Sequence, residues 1–259
     1  MQTAPSDVDH VYAQSNAANH QNSKNMSFSD DFEKMKTVVK AAEDEIVMAV
    51  MFHETWKPTA FDEDLHARIG TSYAAHSFNI VRIALRREMI LALMRVWDND
   101  SRAVGVTKLA DKLKNKQFFM DLVTERAARL GLASPGAEAS VAEALESKRQ
   151  NVLALIGKYT AGGSGHIAFE KIKALRHKRL AHRQADDAPT TRIDPDDKEV
   201  EAFYEDSLSV VELLMSLVLA KAFDLNEARD VYRHHAKFFW AGTKGERTEG
   251  HPSYRKHMG

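Results

Sequence analysis

One segment of the chain concentrates groups that could do chemistry. Lys171–Arg183 reads KIKALRHKRLAHR, with six Lys or Arg and two His and no acid. The whole chain carries 36 Lys and Arg against 37 Asp and Glu, a formal net charge of -1. The positive charge is therefore a local concentration. Arg176 and His182 within it are separated by five residues. This pair suits cleavage of an RNA phosphodiester by its own 2′-hydroxyl. A His can take the hydroxyl proton near neutral pH. An Arg stabilises charge building on a phosphate through two hydrogen bonds, which Lys does less well. The nucleophile sits in the substrate, so such chemistry calls for no metal and no cofactor. Products would end in 2′,3′-cyclic phosphate, and DNA would be refractory.

On a helix, Ile172, Leu175, Arg179 and His182 form one stripe that begins apolar and turns cationic, with Arg176 and Arg183 flanking it. Unpaired buried charge is costly, so this pattern suits a groove that admits water and an anion. The competing reading is a solvated helix end. Basic residues near a helix C-terminus are favoured by the helix dipole alone, and an Arg and a His at this spacing are frequent by chance.

Other groups carry less. His234 and His235 lie with Arg229, Arg233 and Lys237 beside Phe238, Phe239 and Trp240. That could be an RNA-binding strip with stacking rings, but an amphipathic terminal helix packed on the bundle is the preferred reading. His53-Glu54 lacks the second His of a zinc-protease pair and is given no catalytic role. Arg82, Arg86 and Arg87 read as a solvated face. Asp98 reads as structural, pairing with Arg95 or capping the next turn. The twelve His residues show no metal-ligand spacing.

The elements that must position the basic segment all read as helical. Ser27–Asp30 has capping-box spacing and opens a helix to about Trp56, with Val38, Ile46, Val47, Val50 and Met51 inward and Pro58 ending it. Thr59–Asp62 is a second capping box. It opens a long helix from Phe61 to Asp98, with Ile80, Ile83, Ala84, Leu91 and Met94 inward and a kink at Gly70. Shorter helices follow near Leu109 and Phe118. Ser134-Pro135 caps a helix to Lys158. The Gly-rich 161–165 run breaks the chain before the helix His166–Arg183. Asp194, with Pro195 at the first helical position, then caps a helix over 197–223, and a last one spans 227–240. No strand pattern is present, which makes the fold all-α.

Hydrophobic residues make up 44% of the 259, enough for one substantial core. The expected division is a disordered tail over 1–25, one helical domain over 26–240 and a flexible tail over 241–259. The absence of cysteine excludes disulfides, thiolate metal sites and thiol catalysis, and fits a reducing compartment. No apolar leader and no bilayer-length apolar run is present. A soluble cytoplasmic protein is expected.

Three pieces in this order resemble the HEPN superfamily, specifically its AbiU-type abortive-infection branch. They are Arg95–Asp98 closing a long helix, Leu175–Arg183 reading LRHKRLAHR, and the acid-capped helix from Asp197. The resemblance covers roughly Asp30–Phe223. It implies an antiparallel helical bundle with additional short helices, and a metal-independent endoribonuclease of phage-defence or toxin type. It also implies a homodimer whose two motifs face each other across one composite site. Arg176 would contact phosphate and His182 would act on the 2′-hydroxyl. His177, in the polar slot after Arg, would orient the pair, while Lys178, Arg179 and Arg183 would hold the RNA backbone. The two-fold site would also answer a geometric difficulty, since Arg176 and His182 lie about 120° apart on one straight helix. A nucleotidyltransferase-type antitoxin is an implied partner. The alternative within the family is an inactive bundle that binds RNA or protein as a regulatory module.

Overall fold

A computed structural model describes residues 7–98, 105–131, 134–176 and 195–246. Among them the regular elements are nine α-helices and one π-helical turn, without a strand. They are α1 (Asp7–Phe61), α2 (Glu63–Ile69), α3 (Ala74–Val96), α4 (Val106–Lys114), α5 (Lys116–Arg129), α6 (Pro135–Lys158), α7 (His166–Leu175), α8 (Asp197–Leu214), the π-turn Met215–Leu219 and α9 (Leu225–Ala241). No helix among the described residues is long and apolar enough to cross a membrane.

α1 is the spine. Phe32, Met35, Val39, Ala42, Ile46, Ala49, His53 and Trp56 are all buried along it. Their spacing alternates three and four, a heptad-like seam that lets neighbouring helices pack nearly parallel to its axis. α3 returns antiparallel along this seam, and Arg95 near its end reaches Glu45 of α1 at 2.8 Å. α9 lies on another side of α1, where the Trp240 indole donates to the Thr55 carbonyl at 2.9 Å. α4, α5, α6 and α8 complete one continuous core. Each large apolar side chain buried there contributes about 1.5–3 kcal/mol.

Several helix limits differ from the expectations. α1 begins at Asp7, ahead of Ser27–Asp30, and runs through Pro58 to Phe61. Pro58 sits in the last turn, where its missing N–H forfeits only one intrahelical bond. The Thr59 hydroxyl donates back to the Trp56 carbonyl at 2.6 Å and so caps nothing ahead of it. Asp62 is the N-cap of α2 instead, accepting from the Leu65 N–H. Gly70 ends α2 rather than kinking a longer helix.

α3 turns differently from the expected stripe. Ile80 and Ile83 are 58% and 66% exposed, and Ala84 is exposed too. Met94 is buried as expected, and Phe78, Met89, Ile90, Leu93 and Trp97 face inward beside it.

Ser134 caps α6 as expected, accepting from the Ala137 N–H. At α8 the N-cap is Asp196 rather than Asp194. Asp196 and Glu199 satisfy each other's backbone N–H groups in a full capping box. α8 does not run unbroken to residue 223. It loosens into the π-turn and ends at Ala220, whose φ is 59°. Arg126 donates to the Ser216 and Leu217 carbonyls at 3.2 and 2.9 Å, satisfying acceptors at this irregular end. The Glu212 carboxylate then accepts from the Leu225 N–H at the start of α9.

Candidate functional site

The site grows from the C-terminal end of α3. Trp97 is buried there, and its indole donates to the Ser207 hydroxyl of α8 at 2.9 Å. Its ring meets Tyr159, Phe169 and Phe203 at centroid distances of 5.2, 5.9 and 5.4 Å. These rings come from the end of α6, from α7 and from α8, so the cluster fixes four helices around one point. Offset and edge contacts of this kind add about 0.5–1.5 kcal/mol per pair beyond burial. The Tyr159 hydroxyl donates to Asp206 at 2.6 Å. Burial and that carboxylate push its pKa up, so the phenol keeps its proton.

Two close backbone approaches make this geometry possible. A Cβ on Gly105 would lie 1.7 Å from the Asp98 carbonyl oxygen. A Cβ on Gly165 would lie 2.6 Å from the Tyr159 ring. Gly165 is the N-cap of α7, so this contact sets where α7 starts. Its inner line is then Phe169 and Ile172, both buried. Lys171 ties the helix to Glu199 of α8 at 2.6 Å.

Arg176 falls four residues beyond Ile172, on the same inner line. Its guanidinium donates through Nη2 to Asp98 Oδ2 at 2.9 Å, and the two side chains are 22% and 21% exposed. Asp98 therefore pairs with Arg176 rather than with Arg95, whose partner is Glu45. A half-sheltered pair of this kind orients a guanidinium through one of its five donors. Of the expected site residues, Arg176 is thus placed. His177, Lys178, Arg179, His182 and Arg183 lie outside the described residues. Of the three expected surface arginines, Arg86 reaches Asp197 at the head of α8 at 3.3 Å.

A second polar centre lies between α1, α8 and α9. His53 is fully buried and stacks on Tyr204 at 3.8 Å. Its two ring nitrogens meet Glu54 at 3.1 Å and Glu201 at 2.6 Å. With a carboxylate at each nitrogen, both nitrogens can donate only if the ring is an imidazolium. Burial opposes that charge, but the bonds and charges of Glu201 and Glu54 outweigh it and raise the His53 pKa. Burial likewise acts against the Glu54 carboxylate. His53, Arg233 and Arg229 nevertheless bring its pKa down to about 2. Arg229 also holds Glu205 at 2.7 Å. These charges are paired across three helices, which explains how they are tolerated in the core. His53 and Glu54 are therefore helix-joining groups. The sequence signal is the place of His53 on the buried line of α1. Among the described residues no set of three or more His, Asp or Glu has the arrangement needed to hold a metal ion.

The chain matches AbiU2, a HEPN family, over residues 32–239. That span takes in Asp98, Arg176 and the packing that joins them. No curated protein and no solved structure matches the chain. With four-fifths of its length inside the family's span and an all-helical bundle around the Arg176 end of α7, the chain belongs to the AbiU2 family of HEPN proteins.

Proposed function

We propose that the protein is a metal-independent endoribonuclease of the phage-defence or toxin type. The observation that carries the reading is Arg176, inside the basic segment, held at the end of α7 by Asp98 through one nitrogen of its guanidinium. Arg176 binds the scissile phosphate. His182 accepts the 2′-hydroxyl proton as the 2′-oxygen–phosphorus bond forms and the bond to the 5′-oxygen breaks. A proton is returned to the departing 5′-oxygen, giving a 2′,3′-cyclic phosphate and a free 5′-hydroxyl. His177 orients the pair, and Lys178, Arg179 and Arg183 hold the RNA backbone.

Two copies complete the site. Ile80 and Asp98 are eighteen residues apart, about five helical turns, so the open apolar stretch of α3 shares a face with the residue that holds Arg176. Ile80, Val81 and Ile83 are large, apolar and exposed there, a surface for a second copy. The protein works in the cytoplasm, with a nucleotidyltransferase-type antitoxin as its restraint.

One observation favours a second reading. The Arg176–Asp98 pair already neutralises the cation that a phosphate would seek. An inactive HEPN module that binds RNA or protein through the rest of the basic segment would have the same pair as a structural clasp. Growth of cells expressing either form separates the two. Wild type slows growth and His182→Ala, at matched protein level, restores it. Equal growth of the two strains contradicts the ribonuclease reading.

A further inference from the structure

The outer face of α9 is finished differently at its two ends. Its buried side is Leu225, Ala236 and Trp240, which pack against the bundle. The N-terminal half of the outer side is acidic, with Asp224, Glu227 and Asp230. The C-terminal half exposes two aromatic rings, Phe238 at 65% and Phe239 at 62%. Neither ring is loose against the helix. His234 stands edge-on to Phe238 at 4.8 Å, and Trp240 stands edge-on to Phe239 at 4.8 Å.

The charge of this half is one-sided. From Val231 to Thr243 the sequence holds Arg233, Lys237 and two His but no acid. Arg233 is turned back to Glu54 and Asp230. Lys237, between the rings and the histidines, is exposed and makes no hydrogen bond or ion pair among the described residues. A protein interface concentrates contiguous apolar surface and depletes charge at its centre. Here single rings alternate with imidazoles and a free ammonium, which is the composition of a surface that stacks bases beside a phosphate chain.

We propose that the C-terminal half of α9 is a stacking platform for single-stranded RNA. Phe238 and Phe239 each take a base on the open ring face, and Lys237 meets the backbone beside Phe238. The acidic half of α9 repels phosphate and sets the end of the track. The choice of RNA rests on the ribonuclease reading. The platform itself rests on the rings and charges of α9, and it reads no sequence.

The test uses the full chain and a 2′-O-methyl oligouridylate of about twelve nucleotides, a length within the usual site size of such surfaces. That probe cannot be cut by 2′-hydroxyl attack. Phe238→Ala/Phe239→Ala should weaken its binding by about tenfold or more, with the melting transition unchanged because both rings are exposed. Phe238→Trp/Phe239→Trp should bind at least as tightly as wild type. Lys237→Ala should reduce the salt dependence of binding by slightly less than one ion. Equal affinity of wild type and the double Ala variant overturns the proposal. So does a double Ala variant that changes solution mass instead of affinity, which would make the face a protein interface. Loss of RNA cleavage in His182→Ala would stand in either case, so failure of the platform is distinguishable from failure of the ribonuclease reading.

Discussion

The Arg176 guanidinium donates to the Asp98 carboxylate at 2.9 Å, joining the ends of α7 and α3 across 78 residues of sequence. The bond is the link between the buried Trp97 cluster and the basic segment. Asp98 follows Trp97 directly, so its position is inherited from the best-packed point of this half of the bundle.

Asp98→Ala therefore lowers RNA cleavage by about 100-fold through misplacement of Arg176, while costing only about 1 kcal/mol of stability for a pair that is one-fifth exposed. Asp98→Glu restores part of the rate. Single-turnover cleavage and thermal melting of the same preparations check both statements. Wild-type rates in Asp98→Ala would show that Arg176 does not depend on this carboxylate.

Trp97 should be the costliest single truncation near the site. Trp97→Ala empties the centre of a four-ring cluster and costs about 3–5 kcal/mol. Ser207→Ala removes the acceptor of the indole N–H inside the core and costs about 1–3 kcal/mol. Urea titrations of the two variants give the order. A larger loss in Ser207→Ala than in Trp97→Ala would contradict it.

The His53 centre predicts a pH dependence with a definite sign. Its pKa is raised in the folded chain, so its contribution is full below the ordinary imidazole value and is lost as pH rises through the folded one. Glu54, at about 2, and Glu201, also lowered, contribute above the ordinary carboxylate range and lose that contribution as pH falls through their folded values. Wild type should accordingly lose stability as pH rises above the ordinary imidazole value and through the raised folded one. His53→Gln should cost about 3 kcal/mol at the lower pH, by removing the buried cation that Glu54 and Glu201 share, and should flatten that alkaline decline. An unchanged decline in His53→Gln would assign it to other groups.

Much of this was legible beforehand, and the misses share a cause. The all-α class, the Ser134 cap and the break before α7 follow from local chemistry that acts within a few residues. The basic segment and its Arg–His spacing were visible as composition. The Asp98–Arg176 pair was not, because nothing in either local sequence names a partner 78 residues away. Ile80 and Ile83 read as inward because apolar residues at helical spacing usually face a core; here they fill an outer face. His53 reads in the sequence as half of a zinc-protease pair without its second His, although it occupies a core position on the line from Phe32 to Trp56. Polar residues on such a line are invisible to a search for apolar periodicity.

That outer face of α3 carries a prediction about assembly. Wild type should have a solution mass near twice 29.1 kDa. Ile80→Glu/Ile83→Glu should return it to the monomer value without unfolding the bundle, since both side chains are exposed. Light scattering at micromolar concentration decides this. A dimer that survives the double substitution would move the interface elsewhere.

The central claim is ribonuclease chemistry, and it is tested most directly by incubating total RNA and tRNA in EDTA with purified wild type and His182→Ala. The account predicts fragments ending in 2′,3′-cyclic phosphate from wild type alone. No cleavage by folded, dimeric wild type, or equal cleavage by both proteins, would contradict it.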